Sequence, residues 1–333
     1  MLKGYAMQRQ GTSMVLIIAS WVTLASCAGG GEPAATFPAA NSKFPMTVSS
    51  CGQQVTIDHP PTRVLTVETD TSTALAAVGA SNRIVARAGE GDSPLGGYAD
   101  ELSGIPQIGA NDPDPPSREV VLSQRVDLVV AGHISLQWKQ DLEAAGLQVL
   151  VPAWFCGAIQ SDAGPADFTG IYRTLETYGQ IFGTEDIARR TVTDLRNRVA
   201  KVEQQFRGIA PRTAADVYVA TEQLYVYGGL SLNNTVLTTL GLTNVFADLK
   251  ERTAEASTEN LIARDPTVIL LNYGSNYGIT DGTDAIRAFN AIPPLDRLTA
   301  VREQRLLTLN YSYLVGGPLA VDGLEMLATQ LAA

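Results

Sequence analysis

Histidine is nearly absent from this chain: among its 333 residues only His59 and His133 carry an imidazole. A site for a bare transition metal usually draws on several His and carboxylate ligands, so the sequence argues against direct metal capture and any iron is expected to arrive already chelated. A lone His such as His133 is more often a hydrogen-bonded structural residue than a ligand. Also missing are a Gly-x-Ser-x-Gly nucleophile elbow, a phosphate-binding P-loop, a His-Glu-x-x-His pair and a strand-linked dinucleotide fingerprint. An enzyme reading therefore has no motif to stand on. Positive charge is in deficit, with 24 Lys and Arg against 34 Asp and Glu and a formal net charge of −10. An acidic surface of this kind argues against nucleic acid as a partner. No apolar run is long enough to span a bilayer.

The first residues have the layout of a cleaved export signal: Lys3 and Arg9, an apolar run from Val15 to Ala25, then Leu24-Ala25-Ser26-Cys27. Either Met1 or Met7 serves as the start. Cys27, behind a Leu and two small residues, resembles the lipobox of bacterial lipoproteins, in which the thiol takes a diacylglycerol and the chain is cut just before it. An ordinary secretory signal with a chance Cys is the plainer alternative. Residues 28–45 are rich in Ala, Gly and Pro without apolar period, which suits a flexible tether. Losing Lys3 and Arg9 with the leader takes the net charge from −10 to −12. With Cys27 used for lipid, Cys51 and Cys156 remain as a pair in an oxidising compartment, where a disulfide is the economical reading and two free buried thiols the alternative.

Beyond Pro60-Pro61, Arg63 to Val67 reads as a strand and Thr71 as the cap of a helix running through Ala74 to Val78 and closing at Gly79. Asn82 to Ala86 follows as a strand, and Gly89 to Gly104 as an exposed loop. Ser117 opens a further helix. Leu128 to Ala131 is an unbroken apolar strand of the kind buried in a parallel sheet, and Trp138 to Gly146 with Val149 to Val151 repeats the helix–strand unit. From Phe168 to Phe206 the pattern is helical, with a break at Gly183-Thr184 and with Ala188, Val192, Leu195, Val199, Val202 and Phe206 on one face. A second strand–helix array includes Val217 to Ala220, Tyr225 to Gly229, a helix from Asn233 to Leu240, Val268 to Leu271, Leu306 to Leu309 and a last helix. Ser117, Glu119, Val121, Leu122, Val129 and Val130 align at a fixed offset of 140 with Ser257, Glu259, Leu261, Ile262, Ile269 and Leu270. Only the Ser and Glu matches add weight, since any two strand–helix units share apolar periodicity; they point to two related lobes.

These segments resemble a known family, the solute-binding lipoproteins of ABC importers for iron siderophores, haem and cobalamin. The likeness is carried by Pro61-Thr62-Arg63-Val64-Leu65, Ala74 to Gly79, Glu119 to Val130, Leu142 to Val149, Tyr178 to Ala188 and Ser257 to Leu270, in that order and spacing. Cys51-Gly52 and Trp154-Phe155-Cys156 resemble the cysteine pair of one siderophore-type branch. The resemblance implies an α/β fold of two Rossmann-like lobes with mainly parallel sheets, joined by a long rigid helix, with the ligand cleft between the lobes. On that frame the chain divides into a leader (1–26), a tether (27–45), an N-terminal lobe (46–165), linking helices (166–210) and a C-terminal lobe (211–333). It further implies transport without catalysis, no cofactor beyond iron inside the bound chelate, a monomer held by lipid at the outer face of the cytoplasmic membrane, and a permease dimer as partner. Glu119 and Glu259 match the carboxylates that dock such proteins into basic permease pockets. A carboxylate in a first helical turn is also favoured by the helix dipole alone.

Ligands of open parallel sheets lie beyond the carboxyl ends of the strands. In the first lobe this marks Glu68 to Thr71, Arg87, His133, Trp138 and Trp154-Phe155. In the second it marks Glu222, Tyr225, Tyr227, Asn272-Tyr273, Tyr277, and Asn310-Tyr311 with Tyr313. Tyr and Trp meet both the flat faces and the oxygen acceptors of an iron chelate at low entropic cost, so Trp138, Trp154, Tyr225, Tyr273 and Tyr311 are the expected ligand contacts. Arg87 is the expected cation of the cleft, a guanidinium for an anionic chelate, or else a surface ion pair. Trp154 and Phe155 alternatively cover the disulfide, and Tyr225 and Tyr227, facing one side of a strand, alternatively belong to the core. Haem or cobalamin on the same fold, or an envelope interaction protein whose cleft has degenerated, are the competing functions.

Overall fold

The computed structural model of the chain describes residues 43–109, 115–160, 163–210, 212–220, 223–274 and 278–332; Cys27 and the leader lie outside them. The described chain begins with an antiparallel hairpin, β1 (Met46–Ser50) and β2 (Gln53–Ile57). Then come β3 (Val64–Val67), α1 (Thr69–Ala77), β4 (Ile84–Ala88), α2 (Ala99–Leu102), β5 (Gln107–Ile108), α3 (Arg118–Ser123), β6 (Leu128–Ala131), α4 (Leu136–Ala144), β7 (Gln148–Leu150) and α5 (Cys156–Ile159). The five strands after the hairpin form one parallel sheet in the order β5-β4-β3-β6-β7. Every residue of β3 and β6 is buried, as expected of strands whose two faces are both covered.

Helix starts in this lobe follow capping chemistry. Ser117 Oγ accepts from the Val120 amide at 3.4 Å, and Ser135 Oγ from the Trp138 amide at 3.1 Å, each satisfying a donor the helix leaves free. α1 departs from the expected pattern. It starts two residues earlier than Thr71, behind Glu68 and with no side-chain cap. Thr71 sits inside the helix and its hydroxyl donates to the carbonyls of Val67 and Glu68, both at 2.8 Å. Cys156 on α5 is bonded to Cys51 in the hairpin turn, with Cα atoms 5.0 Å apart. This disulfide ties the hairpin to the end of β7 and closes a loop across a separation of 105 residues.

α6 (Phe168–Phe182) and α7 (Glu185–Phe206) carry the chain onward. Between them Gly183 takes the left-handed conformation, φ 69°, the usual glycine stop of a helix. The buried residues of α7 are Ala188, Val192, Leu195, Val199, Val202 and Phe206, the same set that the spacing of apolar residues singles out. The second lobe comprises β8 (Arg212–Ala220), β9 (Gln223–Tyr227), α8 (Leu232–Thr239), β10 (Leu242–Asn244), β11 (Thr253–Ala256), α9 (Thr258–Arg264), β12 (Val268–Tyr273), α10 (Gly282–Asn290), α11 (Thr299–Arg302), β13 (Leu306–Asn310), α12 (Ser312–Val315) and α13 (Leu319–Ala332). Its sheet runs β11-β9-β8-β12-β13, with β10 also on β8. β9 is antiparallel to β8 and to β11, and the remaining pairs are parallel.

The lobes share a core on one side. A single apolar cluster runs from the hairpin through the first sheet, α6 and α7 to Ala214, Val268, Leu270, Leu307 and Leu309 on one face of the second sheet, and on into α8 and α13. A separate cluster, including Val217, Val226, Ile269, Leu271 and Phe289, covers the other face. Arg198 of α7 reinforces the joint by pairing with Asp322 at 2.5 Å and Glu325 at 2.6 Å on α13. Among the described residues no helix is long and apolar enough to cross a membrane.

Because that cluster is shared, the protein should unfold in urea as one transition. Leu175→Ala, at a fully buried position of α6, should cost ~2–5 kcal/mol, whereas Ile209→Ala, at an exposed one, should change stability by no more than ~0.5 kcal/mol. Two separated transitions in circular dichroism and Trp fluorescence would contradict the shared core.

Candidate functional site

In the first sheet the strand order reverses between β3 and β6, and a doubly wound sheet opens its binding crevice at such a switch point. Glu68 follows β3, and Gly132-His133 follows β6. The second sheet contributes its own strand ends, Tyr273 after β12 and Tyr311 after β13.

Trp154 fixes how the two halves meet. Its indole Nε1 donates to Asp70 Oδ2 at 2.6 Å, and both residues are buried. Gly316 of the second lobe packs onto the Trp154 ring so closely that any Cβ there would overlap it, and a Cβ on Gly317 (φ 64°) would come within 2.9 Å of the Asp70 carbonyl oxygen. Glycine is required where two chains approach this closely. The Tyr311 ring lies against Gly274, and its hydroxyl reaches Ser93 of the first lobe.

Across the remaining gap stand Phe155 and Arg252. The guanidinium of Arg252 lies 4.8 Å from the centre of the Phe155 ring, a cation–π arrangement, and the exposed His133 ring stacks on Phe155 at 6.0 Å. Desolvation and then the charge of Arg252 hold the His133 imidazole below its usual pKa. The acids here move the other way. Burial, followed by the nearby Asp70 and Glu90, pushes Glu68 up to about 8 against the pull of Arg252. Burial likewise raises Asp70 to about 7, although the Trp154 hydrogen bond favours its charged form. A cavity of about 290 Å³ opens beside these groups, bounded by Trp154, Gly157 and Ala166 on one side and by Leu230, Lys250 and Arg252 on the other.

The second sheet supplies an aromatic strip. Tyr218 on β8 and Tyr225 on β9 are directly opposed in register and stack with centroids 4.9 Å apart and 7° between planes. Tyr227 tilts against Tyr218 at 5.9 Å. On the same face of β8, Asp216 is fully buried and accepts hydrogen bonds from Asn233 Nδ2 at 2.8 Å and from Asn272 Nδ2. Burial raises its pKa to about 8 in spite of those donors. The Oδ1 atoms of both asparagines lack a partner, so turning over either amide lets it accept the proton of neutral Asp216.

The expected residues are thus partly assembled. Trp154 and Tyr311 lie where the lobes meet, and Trp154 is engaged by Asp70 and Gly316 rather than laid over the disulfide. Arg87 requires correction as the cation of the cleft: it is buried inside the first lobe, paired with Glu90 and donating to the Ile105 carbonyl at 3.3 Å. Arg252 is the guanidinium that lines the interlobe cavity instead, and nothing in Lys250-Glu251-Arg252 distinguishes it from a solvated loop. Trp138 donates from Nε1 to the Pro116 carbonyl at 2.8 Å and packs on the first-lobe core. Tyr225 belongs to the strip, with its hydroxyl on Gln223 at 2.9 Å. Tyr273 packs against the cluster on the opposite face of the second sheet. Glu222 and Tyr277 lie outside the described residues. Glu119 and Glu259 are exposed in the first turns of α3 and α9, behind Ser117 and Ser257 caps of matching geometry, and the free backbone amides there hold both carboxyls below their usual pKa.

Buried acids with raised pKa values remove stability as pH rises. The unfolded carboxyl ionises near 4, so the contribution is whole below that pH and is lost as the solution passes through about 7 for Asp70 and about 8 for Glu68 and Asp216. Unfolding free energy measured in urea should therefore fall between pH 5 and 8, and Asp216→Asn should make the fall shallower. Parallel curves for the two proteins would refute the assignment of Asp216.

The sequence model of the family described as "Periplasmic binding protein" matches residues 64–313. A crystal structure titled as an ABC-type Fe3+-hydroxamate transport system from Saccharomonospora viridis is 31% identical, with a TM-score of 0.75 over 87% of this chain and 100% of that one. A periplasmic heme-binding protein from Pseudomonas aeruginosa is 24% identical, with a TM-score of 0.66 over 81% of this chain and 92% of that one. The "Vitamin B12-binding protein" of Photorhabdus laumondii is 22% identical over 64% of this chain and 72% of its own. With the two sheets, the helices between them and the site at their meeting edges, these matches establish that the chain belongs to the periplasmic binding protein family, whose members bind solutes and are not enzymes.

Proposed function

We propose that this protein is the substrate-binding lipoprotein of an ABC importer, capturing a ferric siderophore and delivering it to the permease. The observation that carries this reading is the pairing of Arg252 with Phe155 across the gap between the lobes, beside the exposed His133. A chelate with partly charged oxygens finds a guanidinium there, held in place over the buried Phe155 ring. The 31% identity to a protein titled as part of a Fe3+-hydroxamate transport system supports the same ligand class. Trp154 and Tyr311 shape the place where the lobes meet. Cys27, outside the described residues, is the proposed site of lipid attachment, which would hold a monomer at the outer face of the cytoplasmic membrane with residues 27–45 as tether.

Haem is the second reading, favoured by His133, whose imidazole is exposed at the cleft and held neutral, as a metal ligand must be. Titration of Trp fluorescence with ferric hydroxamates, haem and cobalamin separates the readings: saturable quenching by a ferric hydroxamate is expected, while a Soret shift with haem alone would replace it. For docking, Glu119 and Glu259 stand at the same place in two similarly capped helices, one in each lobe. Glu119→Ala combined with Glu259→Ala should leave ligand affinity intact and abolish uptake by cells. Persistent uptake would remove both residues from the docking surface.

A further inference from the structure

Three acids cluster at the ends of β3 and β4, beside the switch point of the first sheet and within the field of Arg252. Glu68 follows β3 and is part-buried; Asp70, in the first turn of α1, is 1% exposed; and Glu90 lies just beyond the end of β4. Glu90 is matched within the lobe, by Arg87 and by the Ser72 hydroxyl. Asp70 commits one oxygen to Trp154, while its Oδ1 has no donor and lies 3.4 Å from the position a Gly132 Cβ would take. That orphaned oxygen therefore faces the end of β6, on the other side of the switch point. The charged and titratable groups around the pair are Glu90 with Arg87, Arg252, His133, Tyr178 and Tyr311. His133 and the two phenols are neutral near pH 7, and Arg87 is held by Glu90, which leaves Arg252 as the cation facing Glu68 and Asp70.

We propose that the guest is a cationic chelate, a ferric complex bearing a free protonated amine, and that its ammonium group docks on Glu68 with Asp70 behind it. This deepens the siderophore reading and rests on it. A carboxyl in a desolvated crevice short of counter-charge retains its proton. An arriving ammonium supplies that charge, the proton leaves to solvent, and a charge-assisted hydrogen bond forms out of reach of water. Binding then releases protons, so affinity for a cationic guest rises with pH while the empty site still holds them. An anionic guest would show the opposite slope, because it binds best when both carboxyls are neutral.

The test uses the full mature protein and two probes: a linear ferric trihydroxamate with a terminal primary amine and its N-acetyl derivative, titrated by calorimetry at pH 6, 7 and 8. The amine form should bind at least about tenfold more tightly at pH 7, with affinity increasing from pH 6 to 8, and the acetylated form should show little pH dependence. Glu68→Gln should erase the preference, although the probe pair decides the matter on the unaltered protein. Equal or tighter binding of the acetylated form, or amine-form affinity that falls with pH, would overturn the inference and leave the chelate reading standing. Binding of neither probe would overturn both.

Discussion

The packing of Gly316 on the indole of Trp154, which a hydrogen bond to Asp70 holds in place, is the contact on which the relation between the lobes depends. That hydrogen bond holds the loop after β7 against the start of α1, and the indole then forms the flat seat on which Gly316 rests. On the opposite side α7 and α13 join the lobes through a continuous apolar cluster and the Arg198 pairs. Between these two places the halves leave a cavity bordered by Trp154 and Arg252, at whose edge the guanidinium rests on Phe155. Large rigid-body opening would have to part a packed core on one side or lift Gly316 and Gly317 off Trp154 and Asp70 on the other, so a guest is met by a cleft that is largely preformed.

Electrostatics in that cleft are governed by burial more than by pairing. Arg87 and Glu90 neutralise each other inside the first lobe, whereas Glu68 and Asp70 sit at its edge with one guanidinium across the gap. Asp216 is a second buried acid, placed at the centre of the other sheet and held by two amides that leave their own carbonyl oxygens unmatched. Such groups cost stability. The cost at Glu68 and Asp70 is what gives an incoming charge something to gain.

Local patterning carried much of the fold into the sequence. The six buried residues of α7 follow from a step of three and four, since one helical face must be apolar to pack, and the apolar run of β6 follows from cover on both faces. With Cys27 set aside, only Cys51 and Cys156 were left to pair, and they do. The Ser and Glu repeated at an offset of 140 correspond to equivalent caps in α3 and α9. What depends on tertiary partners was hidden. Arg87 does stand next to a strand end, but a carboxylate three residues on turns its guanidinium inward. Tyr273 and Asn272 are neighbours in a strand and so point to opposite faces; the asparagine meets Asp216 and the tyrosine meets the outer cluster. Arg252 sits in an ordinary charged loop, and only the folded chain brings it over Phe155. The β1–β2 hairpin, alternating buried and exposed, went unread in the segment after the tether.

Iron gives the most direct measurement. Crystals grown with a ferric trihydroxamate and measured at the iron absorption edge should show one strong anomalous peak between the lobes, in the cavity bordered by Trp154 on one side and by Arg252 on the other. Bound chelate elsewhere on the surface, with the interlobe gap empty, would contradict a cleft built to hold a guest.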